Sequence, residues 1–441
     1  MRKSITFKIK NPEEFKSKLL VWGSSFEKFC FLNSNNYSRI VSSPHTYHKY
    51  DSIAGAGVAF RLPHSGGDVF DRLKEFSGKC NDWILGYLTY EAKNELEEST
   101  YCYPDKIMFP QTDFFSPRYL FLLTDTTLQI LFRPETDDET RIRDIYDEIS
   151  ETVSCQEPPP SIDTITPVFS RNDYLKTVEI LMGHIKNGDL YELNFCQEFF
   201  NDNVKLNPAE TYLALNRVSP TPFSCFYRHG ESFLMCASPE RFLKKMGSKV
   251  VSQPIKGTCK RGNTPKEDER LAGELKNDPK ERAENIMTTD IVRNDLSLTA
   301  ASGSVRVPEL CGIYRFPQVH QMISTIEATI GQNIHFTDII REAFPMGSMT
   351  GAPKAAAMNL IGKYERTKRG LFSGTVGYIT PERDFDFNVV IRSIQYNREN
   401  KHLSFTTGGA ITSLSVPEKE YNECLLKAKA IMHIFNTKRV G

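Results

Sequence analysis

Short strand-like runs, separated by turn residues and amphipathic helices, recur along the whole chain of 441 residues. The first 150 residues contain ITFKI, GVAFRL, WILGYLTY, YLFLL and LQILF, and the second half contains SGTVGYI, FDFNVVIRSIQY and LSFTTGGAI. These runs do not alternate strictly with helices, as the strands of a parallel α/β sheet would. We therefore predict an α+β fold in which helices cover mostly antiparallel sheets.

A proline-rich segment predicts where the chain divides. Residues 155–167, CQEPPPSIDTITP, cannot continue a helix, because proline removes a backbone donor and clashes with the preceding turn. We interpret this segment as a linker between a β-rich region, 1–154, and a composite catalytic domain, 168–441. The run RNDYLKTVEILMGHIKNG then predicts a helix that stops at Gly188, and FSCFYRH and SFLMCAS predict a hairpin around HGE (229–231).

Charge and cysteine content argue against several classes of protein. Lys+Arg and Asp+Glu are both 55, so no global field attracts the chain to nucleic acid or to a membrane. The ten cysteines form no CxxC pair, which argues against a zinc site or a thioredoxin-like motif. The N-terminus lacks the apolar region of a signal peptide, and no apolar run reaches about 18 residues. We expect a cytoplasmic protein that binds neither nucleic acid nor membrane.

Two pairs of glutamates are spaced three residues apart in predicted helices. Glu281 and Glu284 fall in a charged helix predicted from residue 265 to about 289, and Glu420 and Glu423 fall in a final helix. This spacing places each pair on one helical face. Two such faces brought together would form an oxygen-rich pocket for Mg²⁺, which takes one or two carboxylates and completes its shell with water and an anionic substrate. The alternative is two solvated acidic faces.

Lys256 lies in a strand-like context, QPIKGTCKRG, directly before Gly257 and Thr258. Burial would disfavour the charged form of its amine and make it a nucleophile. Lowering its pKa from about 10.4 to near 7 requires roughly 4 to 5 kcal/mol of differential interaction. The alternative is a lysine that extends from an edge strand into solvent.

Other candidates are weaker when taken alone. The segment FPMGSMTGAPKAAAM (344–358) predicts a turn into a helix N-terminus, which suits an anion but also suits a tight turn before a core helix. Glu240 in ASPERF, Tyr378 in GTVGYI, Arg392 in VVIRS and Lys427 stand out as single residues. Arg392 ends an apolar run, so its guanidinium is either a fork for a carboxylate or a structural group.

Taken together, ASPERF, PIKGT, ENIMTTDIVRNDLS, GSMTGAPKAAAM, GTVGYI, VVIRS and PEKEYNECLLKA resemble, in this order, the motifs of the chorismate-utilising enzymes. The resemblance covers about residues 168 to 436, and the N-terminal GYLTYEAKNELE is similar to that family's GWLGYDLKNEL stretch. The family includes anthranilate, aminodeoxychorismate, isochorismate and salicylate synthases. It implies a sandwich of mostly antiparallel sheets with helices outside and the active site in a central cleft.

The resemblance also implies roles for individual residues. Four glutamates match the magnesium ligands or their neighbours: Glu284, Glu423, Glu281 and Glu420. The Mg²⁺ would hold the ring carboxylate of chorismate, and Tyr378 and Arg392 would hold its enolpyruvyl carboxylate. Glu240 matches the general acid that helps the C4 hydroxyl leave, a role that needs a raised carboxyl pKa. Four residues would line the site: Gly257, Thr258, Gly408 and Lys427.

The sequence PIKGT is typical of aminodeoxychorismate synthases, whereas anthranilate synthases resemble PIAGT. In the former, the lysine at the position of Lys256 is implicated as a nucleophile at C2, before ammonia attacks C4 and expels it. Glu192 stands where isochorismate and salicylate synthases carry a water-activating lysine, so the resemblance argues against water addition. Glu192 could instead take a proton from Lys256 or from ammonia. The implied activity is the amination of chorismate to 4-amino-4-deoxychorismate for 4-aminobenzoate and folate synthesis.

Three departures from the family pattern leave alternatives open. Gln321 replaces an expected histidine, and Ala410 and Leu414 replace Gly and Asp in GGAITSLS. The nearest alternative is anthranilate synthase component I, against which Lys256 and Gln321 argue. A second is a non-catalytic chorismate-binding regulatory subunit. The chain has no G-x-C-x-G nucleophile elbow, so we expect a separate glutamine amidotransferase subunit to deliver ammonia.

Overall fold

The computed structural model describes residues 2–37, 45, 47–63, 67–95, 103–153, 158–437 and 439–440. The first strands are β1 (Lys3–Lys8), β2 (Lys28–Asn33), β3 (Ser52–Arg61), β4 (Ile84–Leu88), β5 (Thr112–Thr124) and β6 (Thr127–Phe132). The helices among them are α1 (Pro12–Gly23), α2 (Val69–Cys80), α3 (Glu139–Glu151) and a 3-10 helix at Tyr90–Glu95.

The second part of the chain supplies most of the elements. Its strands are β7 (Thr164–Pro167), β8 (Glu192–Asn201), β9 (Phe223–His229), β10 (Ser232–Ser238), β11 (Arg241–Met246), β12 (Lys249–Gln253), β13 (Ile255–Lys260), β14 (Arg306–Arg315), β15 (Val319–Thr329), β16 (Gly351–Ala352), β17 (Thr375–Ile379), β18 (Phe385–Asn388), β19 (Ser393–Asn397), β20 (His402–Ile411) and β21 (Arg439–Val440). Its helices are α4 (Arg171–Lys186), α5 (Pro208–Val218), α6 (Pro265–Asn277), α7 (Pro279–Ser297), α8 (Phe336–Ala343), α9 (Lys354–Tyr364), α10 (Pro417–Ile434) and a 3-10 turn at Gly347–Met349.

The strands form two antiparallel ladders that share the long strand β5. One ladder runs β1-β6-β5-β3-β2-β9-β10-β19-β20-β8. The other runs β5-β4-β17-β18-β11-β12-β15, and β13 and β14 both pair with β15. The chain crosses between the ladders after β10 and again after β18. These two crossings bring residues from the middle of both sheets to one place.

Apolar side chains from both ladders pack together between them. Leu85 of β4, Leu120 of β5, Tyr227 of β9 and Val376 of β17 belong to one buried cluster. A second cluster holds α1, α3, α4, α5, α9 and α10 against the first ladder, and a third holds α2, α7 and α8 against the other. Burying one face of each sheet against the other and covering the outer faces with helices gives the predicted sandwich. The α+β prediction is confirmed.

Local patterns account for several elements. The hairpin of β9 and β10 turns at the predicted HGE segment, where Gly230 has a φ of +56°. Helix α4 begins after Ser170, whose hydroxyl accepts from the Asp173 N–H, and the chain turns away from it at Gly188, at a φ of +87°. Both predictions are confirmed.

Two predicted elements are each divided in the structure. The charged helix predicted from 265 to 289 is two helices, because the residue before Pro279 is disfavoured in helical conformation and Asp278 instead caps α7. The run FDFNVVIRSIQY forms β18 and β19 instead of one strand, because the chain crosses between the ladders at 389–392. Arg392 has a φ of +51° at this crossing.

The ladders join parts of the chain on both sides of the predicted linker. Strand β2 pairs with β9, and β4 pairs with β17. Residues 154–157, where the linker was predicted to start, lie outside the described residues, and its end forms β7, which pairs with β8. The division into 1–154, 155–167 and 168–441 stays a prediction. Across the described ranges, no helix is both long and apolar enough to cross a membrane.

Candidate active site

Three predicted catalytic side chains meet where the two ladders approach each other. Lys256 lies at the start of β13, and its Nζ is 3.7 Å from Oε1 of Glu192, the first residue of β8. Glu240 lies in the crossing from β10 to β11 and acts on Lys256 electrostatically. All three side chains are enclosed, with 13% of the Lys256 side chain exposed. The structure thus brings together residues that are up to 64 positions apart in the sequence (256 minus 192).

Glu240 is a buried carboxyl with one strong hydrogen bond. The hydroxyl of Ser348 donates to Glu240 Oε1 at 2.6 Å. Burial raises the pKa of Glu240 to about 7, and the Ser348 hydrogen bond and the charge of Lys256 only partly offset that rise. A carboxyl that keeps its proton near neutral pH is suited to donate it to a leaving group. A raised pKa is what the general-acid role implied by the resemblance needs, and that role stays a prediction.

The pKa of Lys256 moves in the direction opposite to the sequence-based expectation. Burial works to lower it, but Glu192, Glu284, Glu240 and Glu423 together outweigh burial and raise it. The expectation considered burial of the strand and not the number of carboxylates that surround it. The amine is therefore held as an ammonium, and it must pass a proton to a neighbour before it can act as a nucleophile.

Glu192 is the nearest acceptor for that proton. Its side chain is buried, and its Oε2 has no hydrogen-bond partner among the described residues. An unpaired buried carboxylate oxygen is costly to maintain. This oxygen is free to accept a proton or a hydrogen bond from a group placed beside Lys256.

The four predicted metal ligands lie on two helices that cover the same region. Glu281 of α7 lies against β13: a Cβ atom placed on Gly257 would be 3.1 Å from its Oε2. Glu420 and Glu423 of α10 lie against β20: a Cβ atom on Gly409 would be 3.6 Å from an oxygen of each. The positive φ of Gly257, +97°, and this close approach both favour glycine there.

Burial and mutual repulsion disturb these carboxylates. Burial raises the pKa of Glu284 to about 7, although Lys256 and Lys280 lower it in part. Burial and then the charge of Glu423 raise the pKa of Glu281, and burial also raises that of Glu420. Glu281, Glu284 and Glu420 therefore have too little positive charge around them to favour ionisation, whereas Lys427 holds the pKa of Glu423 below its usual value although burial opposes this.

The donor chemistry of this group fits Mg²⁺. Carboxylate oxygens are hard ligands, and Mg²⁺ commonly takes only one or two of them together with waters and an anionic substrate. Among the described residues, no group of three or more His, Cys, Asp or Glu side chains is arranged to hold a metal ion. An Mg²⁺ ion held by one or two of these carboxylates would take its remaining ligands from water and substrate.

Two other predicted residues of the site, Arg392 and Lys427, lie beside its carboxyl groups. The guanidinium of Arg392 is close enough to Glu240 for their charges to interact, and Arg392 stands in the crossing from β18 to β19. Lys427 of α10 donates to the Gly408 carbonyl at 2.7 Å and lies 2.9 Å from Glu423. Thr258 is an exposed residue of β13.

Tyr378 is not brought together with these residues. Its ring stacks on Trp83, with centroids 5.8 Å apart, and meets the edge of Tyr50. It lines a separate cavity of about 60 Å³ together with Asn33 and Ser34. Tyr378 lies on the same face of β17 as Val376, and it packs against the buried cluster between the ladders. This placement does not support its predicted contact with the enolpyruvyl carboxylate.

The departures from the family pattern also have defined places. Gln321 is buried on β15 opposite Thr258, and its Oε1 has no partner among the described residues. Ala410 lies on β20, and Leu414 is 85% exposed in the following turn. His320, one position earlier, is buried with its Nε2 2.8 Å from Asp268.

Two contributors were missed from the sequence. Ser348 belongs to the GSMTGAP segment, for which an anion site and a tight turn were both left open, and its hydroxyl donates to Glu240. Lys280 lies 3.7 Å from Glu284 and is attracted by all four carboxylates. Its spacing of four residues from Glu284 was a signal available in the sequence, whereas nothing local linked Ser348 to Glu240.

Comparison with known proteins identifies the family of this chain. The model of the chorismate binding enzyme family matches residues 29–433. The chain belongs to this family. The match includes Glu192, Glu240, Lys256, Glu284 and Glu423, so the whole cluster described above lies within it.

Two relatives with similar sequences are both named as aminodeoxychorismate synthases. The chain is 40% identical over 264 residues to the probable chloroplastic aminodeoxychorismate synthase of Oryza sativa subsp. japonica, covering 59% of this chain and 29% of that protein. It is 36% identical over 265 residues to aminodeoxychorismate synthase component 1 of Klebsiella aerogenes, covering 60% and 58%. Both matches span less than two thirds of the relative.

Among solved structures, the chain is similar to anthranilate synthase component I from Streptococcus pneumoniae. The TM-score is 0.72 at 25% identity, and the alignment covers 79% of this chain and 80% of that one. The fold is therefore that of the chorismate-utilising enzymes, as the sequence predicted.

Proposed function

We propose that the chain is the chorismate-aminating component of an aminodeoxychorismate synthase, which converts chorismate and ammonia into 4-amino-4-deoxychorismate and water. The observation that carries this proposal is the enclosed Lys256 amine, which lies 3.7 Å from Glu192 and interacts electrostatically with Glu240, whose pKa burial raises to about 7. The names of the rice and Klebsiella relatives support it.

The proposed reaction has two displacements: the lysine amine first displaces the C4 hydroxyl by attack at C2, and ammonia then displaces the lysine by attack at C4. Lys256 passes a proton to Glu192, and its amine attacks C2 while Glu240 protonates the C4 hydroxyl, which leaves as water. Ammonia then attacks C4, the ring double bonds shift back, and the lysine amine is expelled from C2. The incoming ammonia gives up a proton, which Glu192 or Glu240 can accept. Chorismate thus exchanges a hydroxyl for an amine with no change in oxidation state.

We propose that Glu284 and Glu423 hold Mg²⁺, with Glu281 and Glu420 close by. When bound, the ion would supply the positive charge that holds the ring carboxylate of chorismate. The guanidinium of Arg392 would bind the enolpyruvyl carboxylate through its fork of donors. The remaining wall would be formed by Gly257, Thr258, Gly408 and Lys427.

Ammonia would come from a glutamine amidotransferase in a separate subunit. The name of the Klebsiella relative, component 1, supports this. The further loss of pyruvate to give 4-aminobenzoate would need a separate lyase. A cytoplasmic location stays a prediction.

Anthranilate synthase component I is the second candidate, favoured by the structural similarity to the Streptococcus pneumoniae enzyme. The side chains at the site favour amination at C4 instead. Lys256 supplies the amine that attacks C2 in the proposed mechanism. Gln321 cannot act as an acid or base in eliminating pyruvate. A non-catalytic chorismate-binding subunit would have no use for a buried lysine among four carboxylates.

The test is product analysis with purified chain, chorismate, Mg²⁺ and ammonium at alkaline pH, with and without an aminodeoxychorismate lyase. Formation of 4-aminobenzoate only when the lyase is present supports the proposal. Anthranilate, isochorismate or salicylate as the product would refute it. Unchanged chorismate would favour the non-catalytic alternative. Replacing ammonium with glutamine should give no product unless an amidotransferase is added.

A further inference from the structure

A buried ion pair lies directly behind the cluster of catalytic residues. Arg369 and Glu365 stand four residues apart after the end of α9, with Nη2 2.6 Å from Oε1. Their side chains are 2% and 6% exposed. Neither residue belongs to a motif that was assigned a role above. A buried pair of this kind rarely adds much net stability, since desolvation consumes most of the attraction, so its other contacts are informative.

All five N–H donors of the Arg369 guanidinium are used. Nε and Nη2 donate to the two oxygens of Glu365 at 2.9 and 2.6 Å, and Nη1 donates to the Ser373 hydroxyl at 3.2 Å. The other two donors reach backbone carbonyls: Nη1 to Met349 at 2.7 Å and Nη2 to Asn194 at 2.9 Å. The guanidinium therefore joins two stretches of backbone at one rigid, planar group.

Those two stretches carry the acid–base groups of the site. Asn194 is two residues after Glu192 on β8, and Met349 directly follows Ser348. Glu365 adds a second hold on β8, because its Oε1 accepts from the Cys196 N–H at 2.9 Å. The stretches also meet each other, since the Asn194 N–H donates to the Thr350 carbonyl at 2.7 Å.

We propose that Arg369 is a positioning residue for the reaction. By holding the carbonyls of Asn194 and Met349, it fixes Glu192 beside Lys256 and Ser348 within hydrogen-bonding distance of Glu240. The inference rests on the function proposed above for these groups. It assigns to one buried guanidinium the relative placement of the proton acceptor and the hydrogen bond that tunes the general acid.

The geometry explains why this position needs an arginine. A lysine would keep the positive charge opposite Glu365, but its single ammonium cannot reach two separate carbonyls and both carboxylate oxygens together. Arg369→Lys therefore loosens the two stretches without leaving Glu365 unpaired. A misplacement of catalytic groups by about 1 Å costs up to about 10²-fold in rate.

The first experiment compares pH profiles of kcat for wild type, Arg369→Lys and Ser348→Ala. In Arg369→Lys we expect kcat to fall about 10- to 100-fold with KM changed by less than about 3-fold. The limb at high pH, where Glu240 loses its proton, should move to higher pH, because the Ser348 hydrogen bond lowers the pKa of Glu240. Adding Arg369→Lys to Ser348→Ala should move that limb no further.

Arg72→Lys is the matched control. Arg72 is also buried, pairs with Glu95 at 3.2 Å and donates to the Pro63 carbonyl, but it lies on α2, outside the cluster. Its replacement should lower thermal stability and leave the pH profile in place. A shift of the profile in this control would mean that any loss of a buried arginine has the same effect, and the proposal would fall.

A second readout does not depend on turnover. Carboxyl carbons of ¹³C-labelled glutamate are titrated by NMR, with Glu240→Gln to assign the signal of Glu240. Its pKa should rise in Arg369→Lys, and also in Glu365→Gln, which serves if the first variant does not fold. If wild type forms no aminodeoxychorismate, the proposed function fails while this titration still tests Arg369. An unchanged Glu240 titration in a folded variant, or failure of both variants to fold, would reduce the pair to a structural role.

Discussion

The two ends of the candidate site differ in how completely the protein satisfies its own charges. At one end, Glu240 is enclosed, burial raises its pKa to about 7, and Ser348 donates to it at 2.6 Å. At the other, Glu281, Glu284 and Glu420 all have raised pKa values, and Lys280 is a partly exposed counter-ion. We call these the acid end and the carboxylate end.

The difference shows which part of the site is complete without a ligand. The acid end needs only substrate, because its proton donor and that donor's hydrogen bond are both supplied by the chain. At the carboxylate end, burial and mutual repulsion disfavour the negative charges, and a bound cation would relieve that repulsion. Functional sites often retain such costs in stability in exchange for binding. Lys256 joins the two ends, since carboxylates of both act on its amine.

Lys256→Ala tests that junction and has the largest expected effect. Removing the nucleophile should lower kcat for aminodeoxychorismate formation by at least about 10³-fold. Product formation is measured with ammonium and a coupling lyase. Lys260→Ala, at an exposed position of the same strand, serves as the control and should retain activity. Residual activity within about tenfold of wild type would show that the two ends work without a covalent lysine step.

Glu240→Gln breaks the acid end alone. The amide keeps the shape but has no proton to give at the reacting oxygen, so kcat should fall about 10²- to 10⁴-fold. The high-pH limb of the kcat profile should disappear with it. A limb that persists in Glu240→Gln would assign it to another group.

Glu284→Gln tests the carboxylate end through its effect on the free energy of unfolding. The raised pKa of Glu284, about 7, favours the folded state below its unfolded value of about 4.5, and this contribution is lost as pH rises through 7. In chelator, the variant should therefore be more stable than wild type above pH 7, by at most about 3 kcal/mol. Denaturant unfolding at pH 5 and pH 8 measures the difference.

The same variant should bind Mg²⁺ more weakly in calorimetry. Glu423→Gln supplies the contrast, because burial opposes ionisation of Glu423 but Lys427 lowers its pKa below the usual value. It should lose Mg²⁺ affinity without gaining stability. If Glu284→Gln gains no stability at pH 8, the carboxylate end is not under the electrostatic stress described here.

Sequence patterns within single helices and hairpins predicted several elements of the fold and of the site. Spacing along α7 and α10 placed each glutamate pair on one helical face, and turn residues predicted the β9–β10 hairpin. The single strand predicted for FDFNVVIRSIQY was wrong because β-branched residues continue through the crossing, and no glycine or proline marks the break at Arg392.

Contacts between distant elements were not available from the sequence. Ser348 and Glu240 are 108 residues apart, and Arg369 and Asn194 are 175 apart. The direction of the Lys256 pKa shift depends on carboxylates from four separate elements, and local burial alone gives the wrong sign. The motif resemblance supplied the residues of the site, whereas their charges required the fold.

Tyr378→Phe should have the smallest effect, and it defines where the acid end stops. The ring stacks on Trp83 and lines a cavity with Asn33, so losing the hydroxyl should change kcat and the KM for chorismate by less than about 2-fold. Arg392→Lys, which replaces a fork by a point charge near Glu240, should raise KM by about tenfold or more. Steady-state kinetics of the two variants side by side makes the comparison. An equal rise in KM for Tyr378→Phe would mean that the substrate reaches between the ladders, and the enolpyruvyl carboxylate would then belong to Tyr378 as well as to Arg392.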